Sequence, residues 1–385
     1  MLILILGYII YSFTYVCRYS LTMTGSLLQQ TGALTLAGYG LTVSAFSVCY
    51  AVGRLVNGII GDHVDAKIMV VGGITLTGLF TALFGTLAPF GFLLVFWGME
   101  GFCQSMLWGP LLVTVTDGFD RKKRTAVGAI FATAVGAGSM LGIVMASSLS
   151  EYISLSAAFF VPAAISVLLG LLALAFLKRK KTDRRAPVPP LHRSVGTVEL
   201  IKVFFVSAFY GIIKDNCTYF APGIFIALYA VDVAQMSFFV FVIPVLTLVG
   251  RMIYPAVYRL CRSNEFVTGA AGFGAIIAAT VPLLIGDVPI AVTAASLGII
   301  SAASAVIGTT MCSSYPMRYS DTGNVSSLSG FVDFAAYLGS GVGSTVYAAV
   351  IIALGYKPMF ASFAAFAAVG AAVVLMLGKN RKAKA

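Results

Sequence analysis

Apolar residues run along this chain in long unbroken blocks, and polar residues collect in the short gaps between them. The blocks lie at about 2–28, 39–61, 68–88, 92–115, 125–149, 155–177, 200–230, 235–258, 266–285, 290–315, 323–354 and 359–378, and a helix needs roughly 20 such residues to cross a bilayer. Twelve spanning helices are predicted. The runs do not alternate residue by residue, as the strands of a membrane barrel must to present one face to lipid and one to the lumen. The fold class is therefore all-α membrane protein. The longest polar interruption, Lys178 to Arg193 (KRKKTDRRAPVPPLHR), is rich in proline and cations and has the character of a solvated linker. It divides the chain into an N-terminal six-helix half (1–177), a linker (178–197) and a C-terminal six-helix half (198–385) that ends in a short basic tail.

Composition agrees. Of 385 residues 59% are hydrophobic and only 10% are charged, against about 25% charged in a soluble domain. Twelve spans take up so much of the chain that no soluble domain is expected. The charges that remain are distributed unevenly. With both termini inside, the cytoplasmic side collects nineteen Lys and Arg, among them Lys67, the Arg121–Arg124 run, seven in the linker and four in the tail, against Lys357 alone outside. Because short cytoplasmic loops accumulate cations, both termini are expected in the cytoplasm of a multi-pass protein of the inner or plasma membrane. The net charge of +11 then reports topology and attraction to anionic lipid head groups, with no nucleic-acid partner implied.

The six cysteines (Cys17, Cys49, Cys103, Cys217, Cys261, Cys312) stand singly, mostly within apolar runs, and are expected to be buried thiols. With only His63 and His192 beside them, neither a metal site nor a cofactor is expected. Met1 opens directly into Leu2–Leu6 without a basic leader or a small-residue cleavage site, so the first span is expected to stay in the protein.

The halves resemble each other. Gly53-Arg54-Leu55-Val56-Asn57-Gly58 near the end of the second span recurs 197 residues later as Gly250-Arg251-Met252-Ile253-Tyr254-Pro255 near the end of the eighth. Gly128, Gly136, Gly138 and Gly142 of the fifth span have an echo in Gly330, Gly339, Gly341 and Gly343 of the eleventh, and small residues of this kind let membrane helices approach closely. Arg18 and Lys214 lie 196 apart. Parallel six-helix repeats predict a secondary transporter, and the absence of a strand and lysine around Gly136-Ala137-Gly138-Ser139 excludes a nucleotide loop there.

Ionisable groups inside a bilayer are costly and face a cavity or a partner, so each is a functional candidate. Seven stand out: Arg18, Arg54, Lys214 and Arg251 against Glu100, Asp215 and Asp333. Arg18 shares a helical stripe with Tyr11, Thr14, Tyr15 and Thr22, a polar lining around a side chain whose planar fork suits a carboxylate or phosphate. Neutralisation by a neighbouring acid is the alternative. Lys214 shares a stripe with Tyr210 and Thr218, whereas Asp215 is turned about 100° away and is not expected to face it. Lys214 could bind an anion or pair with a neighbouring span. Arg54 lies eight residues before Asp62, about 12 Å inside the loop at 1.5 Å per residue, with Tyr50 and Asn57 on its face. The pair Arg54 and Arg251 suits symmetric gating or substrate binding, and Asp62 suits a cytoplasmic latch. Glu100, with Gln104 four residues on, and Asp333, between Ser329 and Tyr337, could each carry a proton or neutralise an arginine.

The segment Gly58-Ile59-Ile60-Gly61-Asp62-His63-Val64-Asp65-Ala66-Lys67 resembles the loop motif between the second and third spans of the major facilitator superfamily, with His63 and Asp65 departing from it. A closer resemblance, over most of the chain, is to the organophosphate:phosphate antiporters. It rests on Tyr15-Val16-Cys17-Arg18, on Trp97-Gly98-Met99-Glu100-Gly101-Phe102-Cys103-Gln104-Ser105-Met106-Leu107-Trp108-Gly109-Pro110, and on Gly330-Phe331-Val332-Asp333 with Tyr337-Leu338-Gly339. That resemblance implies a phosphoryl-binding role for Arg18 and a functional cation at Arg54. Three positions depart from it. Phe209 stands where a second phosphate-binding arginine is usual, Val135 where a histidine is, and Glu100 where an asparagine is. Lys214, about one turn from Phe209, could supply the missing cation.

The expected protein is thus a non-enzymatic secondary transporter with the major facilitator fold, moving a small organic anion by alternating access and working as a monomer among membrane lipids. Arg18 and Lys214 are the expected anchors, with Tyr11, Tyr15, Arg54 and Tyr210 as further substrate-binding residues. Glu100, Asp333, Asp215, Asp62 and Arg251 are expected to serve coupling or gating. Exchange of an organophosphate for inorganic phosphate competes with proton-coupled symport of a carboxylate, and a non-transporting sensor of a small anion is the rival of another class.

Overall fold

The computed structural model describes residues 2–61, 63–117, 119–178, 189–286 and 288–382, without the side chains of residues 121, 122, 125 and 379–382. The chain forms two compact units, Met1–Arg185 with Val231–Ser237, and Ala186–Ala230 with Phe238–Ala385.

In the first unit the spans are Leu2–Gln30, Leu36–Ile60, Ala66–Gly85, Phe90–Thr116, Ala126–Tyr152 and Ala157–Phe176. Short polar side chains start two of them. The Thr35 hydroxyl accepts from the Gly38 amide at 3.0 Å, and the Asp65 carboxylate accepts from the Lys67 amide at 2.7 Å, each satisfying a donor that the helix leaves open. The fourth span is interrupted after Gln104 and resumes at Trp108. Pro110 has no N–H to offer the Met106 carbonyl, which accounts for the break. Leu6, Ile10, Tyr11, Val70, Ile74, Leu107, Leu111 and Phe131 form the apolar core of this unit.

The second unit opens with a short helix, Leu191–Val195, that stops at Gly196, whose φ of 91° glycine adopts without strain. The remaining spans are Thr197–Tyr219 resuming as Ala221–Tyr229, Val233–Leu260, Glu265–Ile285, Ile290–Met317, Val325–Leu354 and Lys357–Lys382. The seventh, expected as one apolar run, is instead broken at Phe220, because Pro222 cannot donate to the Thr218 carbonyl. It also carries Glu199, Lys202, Lys214 and Asp215, so only 11 helices among the described residues are each long and apolar enough to cross a membrane unaided. The tenth span passes through a π turn at Thr310–Ser314.

Glycines decide which helices touch. A Cβ on Gly138 would run into the backbone of Ser12, and one on Gly142 would meet Val16 and Tyr19, so the fifth span lies directly on the first. In the second unit Gly339 lies against the Ala208 backbone and Gly343 against Ile212 and Asn216, which sets the eleventh span on the seventh. Gly53 lies on Ser105 and Gly250 on Ala302, and both members of the second pair stand 197 residues after those of the first. The internal repeat is therefore a repeat of helix contacts.

Candidate functional site

In the first unit the site is built on Arg18, which the first span holds almost fully buried. Its Nε and Nη2 both donate to Gln104 Oε1, at 3.3 and 3.0 Å. The guanidinium carbon lies 4.7 Å from the Tyr15 ring centre, 4.6 Å from Phe46 and 5.3 Å from Tyr50, a cage that favours a cation through the ring quadrupoles. Gln104 is a bridge. Its Nε2 donates to Glu100 Oε1 at 2.9 Å and to the Thr14 carbonyl at 3.0 Å. Glu100 has no exposed surface, and Glu100 Oε2 has no hydrogen-bond partner among the described residues.

Other members of the predicted stripe take different places. The Tyr11 ring packs against Tyr15, Trp108 and Phe131 in the apolar core, where it is nearly enclosed. The Thr14 hydroxyl bonds back to the Tyr11 carbonyl at 2.7 Å and Thr22 to that of Arg18 at 3.5 Å, the local option that short hydroxyl side chains have within a helix. Arg54 is half-buried, and Tyr50, one turn before it, connects its helix to Arg18. Asn57, on the same face, donates to Ser105 Oγ at 2.6 Å and so ties the second span to the break in the fourth. Asp62 lies outside the described residues.

The second unit gathers a larger charged cluster from four spans. Lys214 Nζ stands 5.4 Å from the Tyr210 ring centre and 4.9 Å from that of Tyr337. Contrary to the expectation from helical geometry, it also pairs with Asp215 Oδ1 at 3.2 Å. The 100° between neighbours fixes only their Cβ directions, and the four methylenes of lysine are long enough to bring the ammonium back. Asp215 Oδ2 is buried and has no hydrogen-bond partner among the described residues. The Tyr210 hydroxyl is within electrostatic reach of Lys214, Asp215, Arg251 and Cys312. Cys312, on the π turn, donates its thiol to Asp333 Oδ1 at 3.4 Å, and its carbonyl accepts from the Ser329 hydroxyl at 2.8 Å. Tyr254 and Ser314 share a short hydroxyl pair beside them. Arg251 itself is exposed.

Phe209 has turned away from this cluster and stacks on Phe366 at 5.2 Å. Val135 packs beside the core of the first unit. Three of the six cysteines expected to be buried, Cys49, Cys261 and Cys312, are only partly buried, Cys261 because it lies in the turn that follows Leu260. Among the described residues no three His, Cys, Asp or Glu side chains come together to hold a metal ion.

A second network in this unit escapes sequence reading. Tyr315 and Tyr319 both donate to Glu199 Oε1 at 2.7 Å. Buried Glu265 pairs with Arg318, whose guanidinium covers the Phe266 ring at 4.9 Å. Asn324 donates to Ser194 Oγ at 2.6 Å and to the Pro189 carbonyl at 3.1 Å, fixing the short helix that precedes the seventh span. Arg318 is legible in the sequence only as a loop cation.

The helices of the two repeat-related units each carry a cation among aromatic rings, with Arg18 tied to Glu100 through Gln104 and Lys214 paired with Asp215. The family model described as Major Facilitator Superfamily matches residues 4–344, and the chain belongs to that family. Over 173 residues it is 24% identical to a "Probable hexose phosphate transport protein" of Chlamydia trachomatis serovar D, covering 45% of this chain and 37% of that protein. Over 160 residues it is 29% identical to a glucose-6-phosphate exchanger of Bos taurus, covering 40% of this chain and 32% of the exchanger. The matched segment thus spans about a third of these relatives' length. Among solved structures the nucleoside transporter NupG superposes with a TM-score of 0.77 over 98% of this chain and 100% of that one, at 15% identity, a likeness of fold.

Proposed function

We propose that the protein exchanges an organophosphate for inorganic phosphate by alternating access, with Arg18 and Lys214 as its anion-binding cations. The observation that carries this reading is the preparation of Arg18. Two of its donors are fixed on one amide oxygen and its faces are boxed by three rings, so the guanidinium is held in one orientation before a ligand arrives. A pre-oriented planar fork recognises a phosphoryl group by two parallel hydrogen bonds, at little entropic cost. The names of the relatives, a hexose phosphate transport protein and a glucose-6-phosphate exchanger, point to the same chemistry. The protein lies in the plasma membrane with both termini in the cytoplasm, as the cation asymmetry of its loops requires. Tyr15 and Tyr210 line the anion path, and Arg54, Arg251, Asp62 and Asp333 serve opening and closing.

Proteoliposomes test this. Labelled glucose 6-phosphate should enter only when the lumen is preloaded with phosphate or with unlabelled ester. Equal uptake into empty vesicles would overturn exchange. The buried carboxyl of Glu100 favours a second reading, proton-coupled symport of a carboxylate, in which an inward proton gradient alone drives uptake into empty vesicles.

A further inference from the structure

Two cations and two carboxylates meet in the cluster of the second unit. Lys214 and Arg251 stand with Asp215 around the Tyr210 hydroxyl, and Cys312 ties Asp333 to the same place. Phe209 adds no charge to it and stacks instead on Phe366. We propose that this cluster selects a phosphate ester whose organic part carries an ammonium, an aminoalkyl or amino-sugar phosphate, with the phosphoryl oxygens on Lys214 and the ammonium on Asp333. The inference rests on the reading of the protein as a phosphate-ester exchanger with Lys214 among its anion-binding cations, and adds to it the chemistry of the organic part.

The two seats lie side by side. Lys214 Nζ is 4.9 Å from the Tyr337 ring centre, and Tyr337 follows Asp333 by one turn of the eleventh span, so both stand on one stripe. The Cys312 thiol reaches Asp333 Oδ1 from the tenth span at 3.4 Å. Gly308, four residues before Cys312, leaves the room that the Tyr210 hydroxyl fills, since a Cβ there would run into the phenol oxygen. A primary ammonium in a water-poor site is held by a carboxylate, a further oxygen acceptor and aromatic faces. Asp333, the Tyr210 hydroxyl and the rings of Tyr210 and Tyr337 supply these three. A carboxylate offers about four acceptor positions on its two oxygens, so Asp333 can hold a ligand's ammonium alongside its protein partners. The cluster is also reachable. The side chains of Lys214 and Asp215 keep 28% and 13% of their surface exposed, Asp333 and Cys312 are half-buried, and charged groups of a span that keep such exposure face a water-filled cavity.

Charge decides which ester fits. Lys214 is already 3.2 Å from Asp215 Oδ1, and Asp215 Oδ2 is buried with no hydrogen-bond partner among the described residues. A ligand that brings only negative charge to Lys214 thus enters beside a carboxylate that draws on the same ammonium, and it meets a second carboxylate at Asp333. Its attraction to the cation is set against repulsion by both. An ammonium on the ligand turns Asp333 from an obstacle into a contact. Selectivity then has two sources, repulsion of the purely anionic ester and attraction of the zwitterionic one. Contact with the ligand also gives Asp333 its means of serving closure, because a ligand shifts a conformational equilibrium only through contacts that differ between the states.

The test compares esters that differ in one group. Competition against labelled inorganic phosphate on the purified full-length protein gives the affinities of two pairs, 2-aminoethyl phosphate with 2-hydroxyethyl phosphate and glucosamine 6-phosphate with glucose 6-phosphate. In the pair whose size suits the site the amine should bind about tenfold more tightly. N-acetylation of glucosamine 6-phosphate, which removes the positive charge, should abolish any gain that the amine gives. Asp333→Asn should bring the ratio within the pair to about one, and Asp333→Glu, which keeps the charge, should retain part of it. The comparison of ligands on wild type needs no variant to fold. Equal affinities within both pairs, with phosphate bound, would overturn this inference and leave the exchanger reading standing. A preference that survives Asp333→Asn undiminished would overturn the seat assigned to the ammonium. Failure of wild type to bind phosphate or any of the esters would overturn the phosphate-ester reading and this inference with it.

Discussion

At the scale of single residues, charge inside this protein comes with charge nearby. Arg18 has Glu100 behind Gln104, and Lys214 has Asp215 against it. The sequence makes the presence of these groups legible, because a cation within an apolar run is too costly to keep unless it faces a cavity or a partner. It also places Gln104 one turn from Glu100. It does not make legible that Gln104 faces both ways, since that depends on how the first and fourth spans pack, nor that Lys214 folds back onto its neighbour, which a side-chain rotamer decides. Two predictions belong here. Arg18→Lys should lower exchange at least about tenfold with folding intact, because a lysine cannot span Gln104 and a phosphoryl group with a planar fork. Normal rates in proteoliposomes would make Arg18 structural. Lys214→Ala should weaken a dianionic ester by roughly tenfold more than a monoanion, since loss of a cation costs the more highly charged ligand more. Asp215→Asn should do the reverse by releasing the ammonium from its 3.2 Å partner. Equal effects on both ligands in a binding assay would limit Lys214 to packing.

At the scale of helices, the spans and their order follow from apolar runs and loop cations, whereas the interruptions follow from prolines whose effect shows only once hydrogen bonds are traced. Phe220 and the segment after Gln104 are breaks of that kind. The π turn at Thr310–Ser314 has no sequence signature, yet it carries Cys312 to Asp333 and Ser314 to Tyr254. The glycine echo is different, because close approach of helices is legible in the spacing itself and the contacts agree. Its members are nonetheless unequal. Gly138 and Gly339 lie on the backbones of Ser12 and Ala208, where no side-chain rotation can make room, while Gly330 has open space. Gly138→Ala and Gly339→Ala should therefore each destabilise by about 1–3 kcal/mol through overpacking, and Gly330→Ala should be neutral or stabilising by up to about 1 kcal/mol as a helix glycine is replaced. Thermal unfolding in detergent checks this, and three equal melting temperatures would remove glycine contact as the basis of the two helix pairs.

At the scale of the whole molecule, the repeat sets contacts within each half, and the distribution of cations predicts how the chain lies in the membrane. The two signals are independent. The sequence repeat predicts that the linker and both termini share one side of the membrane. The cation pattern, nineteen against Lys357 alone, predicts that this side is the cytoplasm. Reporter fusions separate these statements. A domain that is active only in the cytoplasm should be active when placed after Ala385 or within the linker near Arg184, and silent in the loop before Lys357. Activity on opposite sides for the linker and the tail would contradict the parallel repeat itself. Activity outside for both would keep the repeat and reverse the orientation, and replacing the cations of the Arg121–Arg124 run and the linker with neutral residues should then leave the topology unchanged. With the linker and both termini inside, the same replacements should weaken the topology, because they remove eleven of the charges that hold those loops in the cytoplasm.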